Sequence, residues 1–157
     1  MAGKRSRSDP GAVGCVCMLV RKVARVVTQI YDQHLKNLGL TITQFGVLSH
    51  IARHDHIGIA PLATMLLMDP TALARNLAPL QRRGLVAVLP DSADRRTRHL
   101  QLTGKGSRLL ADARPAWEMA QRQIIDALGA GAASELNATL DHALGKLGDG
   151  AAVAPRP

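Results

Sequence analysis

Val16, Val20, Val23, Val27 and Ile30, followed by His34, recur in alternating steps of four and three. That period lays one apolar stripe along a long helix over about residues 13–38. Leu19, Val26 and Leu35 widen the stripe. The helix is therefore expected to be buried on more than one side, with a partner chain supplying the second surface. Gly39 fits its C′ position. A second helix is expected from Thr43, as N-cap, to about Arg53, turning Phe45, Leu48, Ile51 and Ala52 inward. His54-Asp55-His56 and Gly58 read as a turn, and residues 59–67 as a short helix whose small Ala63 permits close packing.

The pattern then sharpens. Asp69 is a strong N-cap with Pro70 at N1, where a missing N–H costs nothing. The helix that follows is expected to run to Arg83 and close at Gly84, with Leu73, Leu77 and Leu80 inward and a bend at Pro79. Residues 85–89 form a β-type run, and residues 98–102 alternate with Leu100 and Leu102 on one face. The polar, turn-rich residues 90–97 between them predict a hairpin with a long charged tip. Thr103-Gly104-Lys105-Gly106 leads into another long helix with the stripe Leu109, Ala113, Trp117, Ala120, Ile124 and Leu128, kinked at Pro115. After a loop over 129–133, Ser134 is expected to cap a last helix bearing Leu136, Leu140, Leu144 and Leu147. Residues 1–12 lack periodicity and read as a flexible basic arm; residues 149–157 read as a frayed tail. The fold class is mainly α with a small β-wing.

Composition narrows the function. The 157 residues are 46% hydrophobic, too apolar for a disordered chain and enough to bury a core. No apolar run approaches the ~20 residues of a membrane span. A lipoprotein reading of Ala12-Val13-Gly14-Cys15 fails because Lys4-Arg5-Ser6-Arg7 stands where an apolar region belongs. The expected location is the cytoplasm, with no membrane partner. The net charge is +8, and it is uneven: residues 69–108 carry 8 basic and 3 acidic groups, while residues 109–157 carry 4 and 6. A localised positive field suits a polyanion.

A short helix, a tight turn, a second helix with a capped N-terminus and a basic-tipped hairpin make a winged helix-turn-helix, and its chemistry fits DNA. A helix N-terminus offers orphan N–H groups and a positive dipole end to phosphate. Thr71, Ala72 and Ala74 are small enough for the helix to sit deep in a major groove. Arg75, one turn further in, has the two-pronged reach for guanine O6 and N7. Asn76 either pairs with adenine or caps a neighbour. Arg95, Arg96 and Arg98 suit a narrow, electronegative minor groove, and Asp94 is expected to orient one of them through a carboxylate–guanidinium pair.

These residues carry a resemblance. The segments Asp69-Pro-Thr-Ala-Leu-Ala-Arg75-Asn-Leu, Gly84-Leu-Val, Asp94-Arg-Arg96 and Leu102-Thr-Gly-Lys-Gly106, with Leu38-Gly39-Leu40-Thr41 and Thr43-Gln44-Phe45 before them, resemble the MarR family of bacterial transcription regulators. The likeness extends over nearly the whole chain. It implies a homodimer whose first and last helices interlock. It also implies a pseudo-palindromic double-stranded operator, and usually repression released by a small phenolic or aromatic ligand or by oxidation. On that pattern residues 13–40 and 107–148 form the helical dimerisation region, and residues 41–106 the DNA-binding domain. Pro70 and Ala72 stand where polar or basic residues are common in the family, which implies fewer phosphate contacts there.

Other features admit two readings each. Cys15 and Cys17 are either small apolar residues facing a core or a redox switch with the thiolate activated at a helix N-terminus. Cys17 precedes Tyr31 by fourteen residues, a spacing that resembles the family's organic-hydroperoxide sensors, but Arg21 and Ile42 replace the further tyrosines those sensors use. His50, His54 and His56 are read as a helix-end cluster rather than a metal site, since no cysteine or glutamate completes a ligand set. Tyr31, His34, Phe45 and Trp117 are candidates to line a ligand pocket between the first, second and fifth helices. No cofactor is expected. Gly104-Lys105-Gly106-Ser107 fails as a phosphate loop because His99 occupies the leading glycine's place. Catalysis is therefore not expected. The competing class is an architectural or protein-interaction winged helix without a specific operator.

Overall fold

The computed structural model describes residues 14–54, 56–90 and 98–148. The chain runs α1 (Val16–Leu35), a 3-10 turn (Lys36–Leu38), α2 (Ile42–Arg53), β1 (Ile57–Gly58), α3 (Ile59–Met65), α4 (Pro70–Arg82), β2 (Val86–Pro90), β3 (Arg98–Leu102), α5 (Gly104–Leu128) and α6 (Ala130–Gly148). The arm over 1–12, the tail over 149–157 and the hairpin tip with Asp94, Arg95 and Arg96 lie outside the described residues.

Two bodies emerge from how the apolar residues are spent. Leu48, Leu62, Leu73, Leu80, Leu85 and Leu100 are fully buried where α2, α3, α4 and the sheet meet. The stripe on α4 is inward as its spacing predicts, with Leu73, Leu77 and Leu80 all buried. By contrast, α1 packs on α5 and α5 on α6, yet Val16, Leu19, Val20, Val23 and Val26 remain exposed. Helix α6 buries a single residue, Ala133, while Leu140, Leu144 and Leu147 face outward. Leu128, placed on the inward stripe of α5 by its spacing, is also exposed.

Helix ends correct the sequence reading in two places. The N-cap of α2 is Thr41, not Thr43: its hydroxyl accepts from Gln44 N at 3.2 Å and Gln44 Oε1 accepts from Thr41 N at 3.2 Å. This reciprocal capping box settles the start of the helix. Asp32 Oδ1 also accepts from Ile42 N at 2.6 Å, fastening α2 to α1. Val47 is then buried and Ala52, expected inward, is exposed. Thr41→Ala should cost about 1 kcal/mol and Thr43→Ala only a few tenths, a difference that urea denaturation reads. Ser134 likewise lies inside α6, which starts at Ala130 straight after Gly129 at φ 81°. The alanine-rich stretch there is helical rather than a loop, in keeping with its high propensity.

Among the described residues the three strands are antiparallel in the order β1-β3-β2. Strands β2 and β3 are the expected hairpin, from Val86 opposite Leu102 to Pro90 opposite Arg98. Residues Ile57 and Gly58, the latter expected in a turn, form a third strand that covers the other edge of β3, with Ile57 opposite Leu100. Both helices with internal prolines, α4 and α5, continue through them.

Candidate nucleic-acid interface

Helix α4 presents a built surface. Its inner face is anchored by three buried leucines, so the opposite face is held outward. Thr71, Ala74 and Arg75 lie there and are exposed; Ala72 and Asn76 sit on its flank, half-buried. Asn76 Nδ2 donates to Ala72 O at 2.9 Å.

The N-terminus of α4 behaves differently from the expectation that it offers free donors to phosphate. Asp69 Oδ1 accepts from Thr71 N at 2.8 Å and from Ala72 N at 3.2 Å, and Asp69 O accepts from Leu73 N at 3.0 Å. Pro70 has no N–H to give. Every backbone donor of the first turn is thus satisfied or absent, and the Asp69 carboxylate offsets the positive dipole end. Among the described residues of α4 and the hairpin, side chains such as Arg75 on α4 and Arg98, exposed where β3 begins, carry the positive charge.

The base of the hairpin is laced to the end of α4. Thr103, the N-cap of α5, accepts from Gly106 N at 3.0 Å while donating its hydroxyl to Gly84 O at 2.6 Å. Thr103 N donates to Leu85 O at 3.0 Å, and Lys105 Nζ donates to Arg83 O at 2.9 Å. Gly106 closes this joint: a Cβ there would stand 2.1 Å from Leu85 O. Gly84 turns the chain with φ 67°, a left-handed value that glycine takes without steric cost.

Three of the four expected pocket residues, Tyr31, Phe45 and Trp117, stack on one another. Trp117 stacks on Phe45 at 6.1 Å and 12° between planes, and on Tyr31 at 6.3 Å and 27°. The Tyr31 hydroxyl donates to Gln121 Oε1, and burial raises its pKa, keeping it a neutral donor. His34 Nε2 meets Gln123 Oε1 at 2.8 Å. Of the four, only Tyr31 borders the large apolar groove of about 550 Å³ between α1, α5 and α6, whose walls include Val20, Val23, Ile124, Leu128 and Leu136. Cys15 and Cys17 are exposed at the start of α1, so neither faces the core of its own chain. His50 Nδ1 donates to Gly46 O and His54 Nδ1 to His50 O, each at 2.9 Å. Among the described residues no group of three His, Cys, Asp or Glu could hold a metal ion.

Comparison with known proteins decides the lineage. A profile of the MarR family matches residues 38–97. The transcriptional regulator HosA of Escherichia coli O157:H7 is 30% identical over 117 residues, which span 71% of this chain and 87% of HosA. The chain belongs to the MarR family. Among MarR-family structures, the M. tuberculosis transcriptional regulator MosR in complex with DNA is 31% identical with a TM-score of 0.76, the match covering 88% of this chain and 99% of MosR. A cysteine-to-serine mutant of E. coli MarR complexed with operator DNA is 25% identical, also with a TM-score of 0.76, over 82% of this chain and 93% of that one.

In this chain the helix with the exposed face, α4, packs against β2 of the hairpin. Sequence reasoning names the outward residues of α4 but misses the joints behind them: Thr41, Arg83, Lys105 and Gly106. The Thr41-x-x-Gln44 spacing is a legible cap pattern. The other three act through backbone atoms distant in sequence. No helix among the described residues is long and apolar enough to cross a membrane.

Proposed function

We propose that the protein is a cytoplasmic, homodimeric transcription regulator that binds a pseudo-palindromic operator and represses until an effector releases it. In this reading α4 enters the major groove with Thr71, Ala72, Ala74, Arg75 and Asn76, and Arg95, Arg96 and Arg98 of the hairpin reach the adjacent minor groove, supported by Asp94. The observation that carries it is the outward face of α4: small residues around one exposed arginine, on a helix whose other face is locked by Leu73, Leu77 and Leu80. Relatives of similar fold have been solved on DNA. Residues 13–40 and 107–148 supply the dimerisation region, since α6 with one buried residue needs a second surface to hold it, and a contiguous apolar patch marks a partner site.

The test is binding to a palindrome from the protein's own promoter across a salt series. A specific site should be preferred over random duplex, with affinity falling steeply as salt rises; equal affinity for any duplex would favour the architectural reading. Arg75→Ala should reduce base preference by about 1–3 kcal/mol at one position of each half-site. Full retention of preference by that variant would show that another residue reads the base.

The effector is a small aromatic or phenolic molecule that competes for the Tyr31–Trp117–Phe45 stack, with His34 at its border. Oxidation at Cys17, with Cys15 beside it, is the second route, favoured by the exposure of both thiols. Footprinting with and without a thiol oxidant separates the two, because release only by an added phenol removes the redox route. Nothing in this reading calls for catalysis, a metal or a cofactor.

A further inference from the structure

Arg83 stands at the C-cap of α4, one residue before the left-handed Gly84. Its side chain leaves α4 and reaches the turn that ends the first helix. Nη1 donates to Gly39 O at 2.5 Å and Nη2 to Leu38 O at 3.0 Å. Carbonyls at a helix end lack partners within the helix and carry the negative end of its dipole. A planar guanidinium spans two successive carbonyls, which the point charge of an ammonium does not. The main chain of the same residue is also engaged, since Arg83 O accepts from Lys105 Nζ at 2.9 Å. One residue therefore ties the end of α4 to the α1–α2 junction on one side and to the start of α5 on the other. On the far side of that junction Asp32 Oδ1 holds Ile42 N at 2.6 Å, tying the start of α2 to α1 as well.

We propose that Arg83 is the positioning residue of α4, its fork setting the angle at which α4 leaves the α1–α5 body. In the dimer that angle fixes the separation of the two outward faces, and hence the half-site spacing the protein accepts. The second step rests on the operator-binding reading; the angle itself is a property of one chain.

The experiment reads both levels. Spin labels at Gln29→Cys on α1 and Ala74→Cys on α4, in a Cys15→Ser, Cys17→Ser background diluted with unlabelled protein, report the distance within one chain by double electron–electron resonance. Arg83 should give one narrow distribution, Arg83→Ala a broad or shifted one, and Arg83→Lys an intermediate one, with helix content by circular dichroism unchanged. With unlabelled full-length protein, Arg83→Ala should lose on the order of tenfold in affinity for the promoter palindrome. It should lose much less for the same duplex lengthened by two base pairs at its centre, so spacing discrimination falls. An unchanged distance distribution overturns the proposal, as does unchanged spacing discrimination in a protein that binds the palindrome. Should Arg83→Ala not fold, Arg83→Lys and Arg83→Gln are read in the same way, and loss of fold in all three makes Arg83 a stability residue and overturns it as well. Wild-type protein without operator preference would defeat the regulator reading and leave the label pair to decide the angle.

Discussion

Gly106→Ala should destabilise the protein by about 3 kcal/mol, at the upper end of what one added methyl costs in a packed site. The added Cβ would stand 2.1 Å from Leu85 O and 3.0 Å from Leu85 C. Neither side can yield cheaply. The glycine lies in the first turn of α5, its amide held by Thr103 Oγ1 at 3.0 Å, and Leu85 O is already engaged by Thr103 N at 3.0 Å. Relief requires separating the start of α5 from the segment that joins α4 to β2, and fully buried Leu85 goes with it. Gly104→Ala is the internal control: its Cβ would meet only Arg108 Nη1, at 3.7 Å, so its cost should be within a few tenths of a kcal/mol. Urea denaturation of the two variants checks the contrast, and equal midpoints would show that the joint relaxes freely.

Val23→Glu should convert the protein to a monomer and lower operator affinity by about a hundredfold or more, because a charge in an apolar interface costs several kcal/mol. Val23 is 43% exposed in the single chain and borders the apolar groove between α1, α5 and α6. Above it Val16 is 66% exposed, and on α6 Leu147 is 71% exposed. Exposed apolar side chains grouped along two helices mark a partner surface. The substitution touches none of the buried leucines around α2, α3 and α4, so that body should keep its fold. Light scattering reads the mass and anisotropy reads the affinity. Gln29→Glu, at an exposed polar position of α1, should leave both unchanged. A Val23→Glu protein that stays dimeric would place the interface elsewhere.

What the amino-acid pattern reveals is what neighbours in sequence decide. Asp69-Pro70 and the leucines at 73, 77 and 80 act within one helix, so the bounds and inner face of α4 are legible. The β2–β3 hairpin is legible for the same reason. Strand β1 is not, since two residues are too few to show alternation and their partner lies on β3. Ser134 is favoured as a cap by residue type, but the alanines before it are good helix formers and Gly129 has already supplied the break. The same locality governs the candidate site. Outward residues of α4 can be read off the helix period, whereas Arg83 bonds to carbonyls 44 and 45 positions away and Gly106 is constrained by Leu85. Asp69 is recognisable as a cap, and its consequence, a first turn with no donor left for phosphate, emerges only from counting the bonds.

The chain contains one tryptophan, one tyrosine and one phenylalanine, and all three meet where α1, α2 and α5 come together. Indole emission from this protein therefore has a single origin, at the seam where α1 and α5 meet α2. Any event that pries the seam open or slips a ring into it changes the colour and intensity of that light, which makes the unmodified protein its own optical reporter.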